Sequence, residues 1–168
     1  MKLDLLKYPD PRLSEVSAPV TRFDEELHCL LEDLAETVEA ERGIGLAAPQ
    51  VGRAVRVLVI DLGSQEGEEK GLREIINPRL SRGEGKIVFE EGCLSVPGVT
   101  AEVTRKARIT VIYQDRSGKA RKLDARGLLA VAIQHETDHL DGKLFLDRLP
   151  IVRRTLVKRR LARRAVTL

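Results

Sequence analysis

A chain of 168 residues, a third of them charged yet with a net charge of only +3, suits one domain, or one domain with a short appendage, and can bury a real apolar core. With three Phe, two Tyr and no Trp, that core has to be built from Leu, Ile, Val and Ala. No run approaches the roughly 18 apolar residues of a membrane span, and the opening MKLDLLKYPDPRL is broken by charge and proline where a secretory signal needs apolar continuity, so a cytoplasmic protein is expected.

Pro9, Pro11 and Pro19 predict an extended, surface-wrapping segment over residues 1–22. Asp24 then has the side chain of a helix cap. Leu27, Leu30, Leu31, Leu34 and Val38 recur at helical spacing, which predicts a first helix ending at Gly43. Cys29 falls on the opposite face with Asp33 and Glu36 and is expected as a surface thiol; His28 borders the stripe and is expected to hydrogen-bond locally. In a reducing compartment, at least one of the two cysteines is more consistent with metal ligation than with a disulfide.

Residues 43–50, GIGLAAPQ, have glycines suited to close backbone approach and a proline that interrupts any helix. No Gly-Lys-Ser/Thr follows, so this is not a phosphate loop; on these residues alone, a structural turn and a functional loop stay equally open. Strands are predicted at 56–61, 74–80, 87–90, 101–103, 108–115 and 119–123, with a turn at Arg116-Ser117-Gly118 and a charged loop over 63–71. That spacing predicts mostly antiparallel sheet. Between two of these strands, residues 91–98 (EGCLSVPG) are expected as a loop in which Gly92 and Pro97 leave Cys93 free to face a metal, the alternative being a small buried residue.

Residues 124–142, DARGLLAVAIQHETDHLDG, predict a buried helix, started by Asp124 and closed by Gly142, whose apolar residues leave only a narrow polar side. At about 100° and about 1.5 Å per residue, His135 and His139 lie about 40° apart around the axis and about 6 Å apart along it, so both reach one ion. Glu136 projects from the flank of that face, where it can touch a metal-bound water without being a ligand. This is the His-Glu-x-x-His arrangement of hydrolytic metal sites. Such a site needs a third protein donor and an open position. Phe145 stands where metzincins place their third His, and no Glu follows Glu136, so the third ligand is expected upstream, with Cys93 the candidate. Strands preceding a metal helix give an α+β class, mostly antiparallel β-sheets packed around a buried metal-binding helix with a C-terminal helix.

Pro150 can open that final helix, with Val152, Leu156 and Leu161 on a sparse apolar side and Arg153, Arg154, Lys158, Arg159, Arg160, Arg163 and Arg164 over much of the rest. The expected organisation is a catalytic metallohydrolase domain over 1–149 with a basic helix, 150–168, appended. The helix is either a solvated surface or a dock for RNA phosphates.

Taken together, GIGLAAPQ, EGCLS and QHETDHL, in this order and at these separations, resemble the motifs of the peptide deformylases. The resemblance spans Gly43 to Leu140. It implies a metal-dependent hydrolase that removes the formyl group from N-formylmethionine at the start of newly synthesised polypeptides, releasing formate. Carried onto this chain, it implies Cys93, His135 and His139 as metal ligands and Glu136 as the catalytic acid/base. Gln50 and the backbone N–H of Leu94 would hold the developing oxyanion, Ile44 and Gly45 would pair with the substrate main chain, and Val131 and Ala132 would help line the methionine pocket. Some members carry an arginine where Thr100 stands. A Cys/His/His set suits Zn²⁺, Fe²⁺, Co²⁺ or Ni²⁺; the resemblance implies Fe²⁺ in the cell. It also implies docking of the basic helix on the ribosome near the exit tunnel. Neither a membrane nor DNA is expected as a partner. Two rivals are a general metallopeptidase and a non-catalytic ribosome- or RNA-binding protein with a structural metal.

Overall fold

The computed structural model describes residues 1–63 and 71–165; most of the charged loop expected over 63–71, and the last three residues of the tail, lie outside them. The first apolar stripe folds into α1 (Glu25–Ala40), with Asp24 as the cap accepting from the Leu27 N–H and all five stripe residues buried. The helix stops before Gly43. Arg42 takes the left-handed conformation, φ 54°, and the Gly43 N–H returns to the Val38 carbonyl at 2.9 Å, closing the last turn. Cys29 is exposed, as expected. His28 bonds not locally but across to the Arg116 carbonyl, at 2.9 Å.

Strands β1 (Gly45–Ala47), β2 (Val57–Ile60), β3 (Arg73–Leu80), β6 (Arg108–Gln114) and β7 (Ala120–Arg126) form one sheet in the order β1-β2-β3-β6-β7, antiparallel throughout. Every residue of β2 is buried, and its alternation explains why. Leu58 and Ile60 enter the apolar cluster of the metal helix, α2 (Gly127–Leu140), together with Ala130 and Ile133. Val57 and Val59 enter the cluster of α1, with Leu31 and Leu34. The sheet is thus covered by a helix on each face.

A second sheet has two strands, β4 (Ile87–Cys93) and β5 (Val96–Arg105). The expected loop at 91–98 is instead the end of this hairpin: pairing runs from Ile87↔Arg105 to Gly92↔Thr100 and closes at Cys93↔Val96 around a Leu94-Ser95 turn. Val96, Val99 and Val103 pack with Phe145, Leu146 and Leu149, and Val157 and Leu161 of α3 (Ile151–Ala165) lie against the same cluster.

Asp124 does not cap α2. It lies in β7, where its carboxylate accepts from the Thr110 hydroxyl at 2.7 Å, and pairing with β6 continues to Arg126. The helix opens instead at Gly127, whose φ of 59° suits glycine. Gly142 does close it, with φ 70°, and a Cβ there would run into the Ser14 carbonyl. From Leu129 to Leu140 every residue except Gln134 is buried, so α2 is an interior helix, as its composition predicts.

Candidate metal centre and active-site cleft

Helix α2 presents His135 and His139 one turn apart, their ring centroids 5.1 Å from each other. Cys93, at the end of β4, brings Sγ to 3.4 Å from His139 Nε2. The donor atoms of Cys93, His135 and His139 all lie within 4.8 Å of one another, and among the described residues no fourth His, Cys, Asp or Glu joins them. Phe145, standing where a metzincin would place a third histidine, stacks on His135 with ring centroids 6.0 Å apart.

The surroundings fit a cation. His135 Nδ1 donates to Glu91 Oε1 at 2.8 Å, which fixes the ring and turns Nε2 toward the other two donors. His139 Nδ1 is buried without a partner. Burial, with the neighbouring His135, pushes the His139 pKa well below the ordinary imidazole range, so this ring stands neutral with a lone pair to give. Burial pulls His135 the same way, but hydrogen bonds to Cys93 and Glu91 outweigh it and raise its pKa well above that range. A bound cation would displace that proton, because only the neutral ring ligates.

Glu91 is held in turn by Arg105, Nε to Oε2 and Nη2 to Oε1, both at 2.8 Å. Arg105 Nη1 reaches Asp138 Oδ2 at 2.7 Å, and Arg148 closes the row with bonds of 2.6 and 3.0 Å to the same carboxylate. Glu91, Arg105 and Asp138 are all buried. Burial alone would raise Glu91, yet the bonds from Arg105 and His135 win and lower its pKa, so it stands as a carboxylate. This row runs behind the histidine, and its members are 14 and 33 residues apart. The charges of Glu91 and Arg105 permit such a pair in the sequence; nothing there points to Asp138 as its third member.

Glu136 lies beside the donors, 5 % exposed, with Oε2 lacking any partner. Burial is the main cause that lifts its pKa to about 7, against the opposing pull of His135. Gly45 makes room for it: a Cβ there would stand 2.9 Å from Glu136 Oε1. Gln50 is oriented by the Ala47 N–H, which donates to Oε1 at 2.9 Å, leaving Nε2 to face Ser95 Oγ at 3.2 Å and Cys93 Sγ at 3.6 Å.

A cleft of about 420 Å³ opens above this group. Ile44, Gly45, Gln50, Cys93, Leu94, Val131, Ala132, His135 and Glu136 all line it, whereas the buried His139 does not. Arg42, Phe89, Val99 and Leu128 also line it and carry no motif that marks them in the sequence. Thr100, on the rim, donates to Glu90 at 2.8 Å.

Three soft or borderline donors, an unpartnered glutamate and an open cleft, on a helix packed against antiparallel sheets, define a metal-dependent hydrolase of α+β fold. The family model of polypeptide deformylase matches residues 2–155. A peptide deformylase of Wolinella succinogenes is 46 % identical over 164 residues, covering 96 % of each chain. One of Rhizobium meliloti is 48 % identical, covering 97 % of this chain and 94 % of its own. The solved peptide deformylase of Legionella pneumophila superposes with a TM-score of 0.89 at 41 % identity, over 99 % of this chain and 97 % of that one. The chain belongs to the polypeptide deformylase family. Among the described residues no helix is long and apolar enough to cross a membrane.

Proposed function

We propose that this protein hydrolyses the formyl group from N-formylmethionine at the N-terminus of newly made polypeptides, releasing formate. The observation that carries this is the meeting of Cys93, His135, His139, the unpartnered Glu136 and the Gln50 amide in one cleft of a chain of this family.

Cys93, His135 and His139 hold one divalent ion, Fe²⁺ in the cell and Zn²⁺, Ni²⁺ or Co²⁺ as substitutes; their sulfur and nitrogens suit any of these. When bound, the ion lowers the pKa of a coordinated water toward about 7 and supplies Lewis acidity. Glu136 takes the proton of the attacking water and returns it to the leaving amine. In the metal-free site its burial favours the protonated form and lifts its pKa to about 7, and a bound cation would draw it back toward the carboxylate that accepts the water proton. Gln50 Nε2 and the Leu94 N–H take up the charge developing on the formyl oxygen, each worth on the order of 3 kcal/mol in the transition state. Strand β1 is an edge of its sheet, so the backbone at Ile44 and Gly45 can receive an extended peptide. Val131 and Ala132 wall the pocket for the methionine side chain.

The partners are N-formylmethionyl nascent chains in the cytoplasm. The helix of residues 150–168, appended to a catalytic domain of 1–149, brings the enzyme to the ribosome near the exit tunnel. Val157 and Leu161 of α3 face the protein, while Arg159 and Arg160 are exposed and available to RNA phosphates.

The test is formate release from a formyl-Met peptide by anaerobically purified, Fe²⁺-loaded protein beside a Glu136→Ala variant that keeps the ligands. Rapid release that disappears in the variant supports the assignment. No release from metal-replete protein, or equal cleavage of unformylated peptides, overturns it.

A further inference from the structure

The two groups assigned to the oxyanion come from separate parts of the fold. Gln50 lies in a 3₁₀ turn, Ala48–Val51, that follows β1 of the five-stranded sheet, and Leu94 lies in the turn of the β4–β5 hairpin. No strand ladder joins the two sheets among the described residues. Yet two donors stabilise one oxygen only when both sit about 3 Å from the same point, so their separation has to be set by something.

The Gln50 amide itself touches the hairpin, Nε2 to Ser95 Oγ at 3.2 Å, and residues 6–8 tie the two backbones together. The Leu6 N–H donates to the Gln50 carbonyl at 2.7 Å, and the Tyr8 N–H donates to the Ser95 carbonyl at 2.8 Å. Between them, Lys7 Nζ donates to the Leu94 carbonyl at 2.7 Å. The flanking side chains divide the same way. Leu5 packs with the α1 cluster, which also holds Ala48 beside Gln50, and Tyr8 packs with the hairpin cluster of Val96, Val99 and Phe145.

We propose that residues 6–8 form a strap that sets the separation of the Gln50 and Leu94 donors, with Lys7 as its positioning residue; the inference rests on the oxyanion roles given above. The Lys7 bond is charge-assisted and therefore stronger than a neutral one. It is also the one strap bond made by a side chain, and that side chain is exposed, so truncating it opens no cavity. Small errors of placement at reacting atoms cost rate steeply and leave ground-state binding largely intact.

Steady-state kinetics on a formyl-Met peptide test this, together with bound metal per chain and the thermal midpoint. Lys7→Met lowers kcat about five- to tenfold, keeps KM within about twofold, and leaves metal content and midpoint unchanged; Lys7→Arg recovers most of the loss. In a Gln50→Ala background the Lys7→Met effect shrinks to less than about twofold, because one donor has no spacing to keep. Wild-type kcat for Lys7→Met, while Gln50→Ala is impaired, overturns the strap and leaves the oxyanion assignment standing. Full kcat for Gln50→Ala overturns both. A Lys7→Met loss that follows lost metal or a lower midpoint, or that persists undiminished in the Gln50→Ala background, also overturns the strap.

Discussion

Replacing Glu136 by Gln should stabilise the metal-stripped protein while abolishing activity. The folded carboxyl releases its proton only near pH 7, chiefly because it is buried, against an ordinary value of 4.5. A folded pKa raised above the unfolded one contributes stability that is fully present below about pH 4.5 and is lost as pH rises through about 7. At about 1.4 kcal/mol per unit, the gap amounts to about 3 kcal/mol of penalty carried by wild type above neutrality. Glutamine keeps the shape and does not ionise, so it escapes that penalty. Urea unfolding of the two metal-stripped proteins, compared across pH, reads the effect, since groups remote from Glu136 cancel in the difference, while the lost attraction between Glu136 and His135 works against the variant's gain. The two should be nearly equal near pH 4.5, and the variant should gain about 3 kcal/mol by about pH 8. A difference that stays flat with pH, or a wild type that is the more stable at alkaline pH, refutes the reasoning.

Arg105→Met leaves the Glu91 and Asp138 carboxylates buried without their shared cation, and denaturant unfolding should register a loss of about 3–5 kcal/mol; a loss below about 1 kcal/mol would mean the pair is not truly dry. Glu91→Gln loosens His135 and should weaken metal binding about 10- to 100-fold in competition with a chelator, whereas unchanged affinity would remove Glu91 from any ligand-orienting role. Gly45→Ala pushes a methyl group to 2.9 Å from Glu136 Oε1 and from Ile60 Cδ1, so kcat should fall by more than about tenfold at full metal content, and a fully active variant would show that Glu136 has room to retreat.

Much of the molecule is legible in the sequence because its decisive elements are local. The α1 stripe and its Asp24 cap lie within 15 residues, and the two histidines of α2 are one turn apart. Cys93 could be singled out because the helix needs one more donor and the His or Glu that related sites place downstream is missing, leaving only Asp141 and Asp147 there. What escaped depends on pairing between distant segments. Strand β7 carries only one buried residue, Ala125, so no apolar alternation marks its last turn-ward residues, and Asp124 looks like a helix cap until β6 claims it. The hairpin likewise extends well past its apolar residues, because Glu90↔Glu102 and Gly92↔Thr100 pair through the ladder and the cross-strand bond from the Thr100 hydroxyl to Glu90, with no apolar alternation to mark them. The row from Glu91 to Asp138 exists only once β5 has been laid beside both β4 and α2, and no one-dimensional periodicity encodes that juxtaposition. His28 is a similar case, its partner lying 88 residues away.

Strand β2 has a consequence in time. Wholly buried, and lying between the clusters of α1 and α2, it offers solvent no route that leaves either cluster in place. Its amide protons should therefore exchange with deuterium only when the whole molecule opens, whereas those of the hairpin, which belongs to a separate two-stranded sheet, can exchange through a smaller opening. The gap between these two exchange rates measures how much more readily the strand that carries Cys93 opens than the sheet beneath α2.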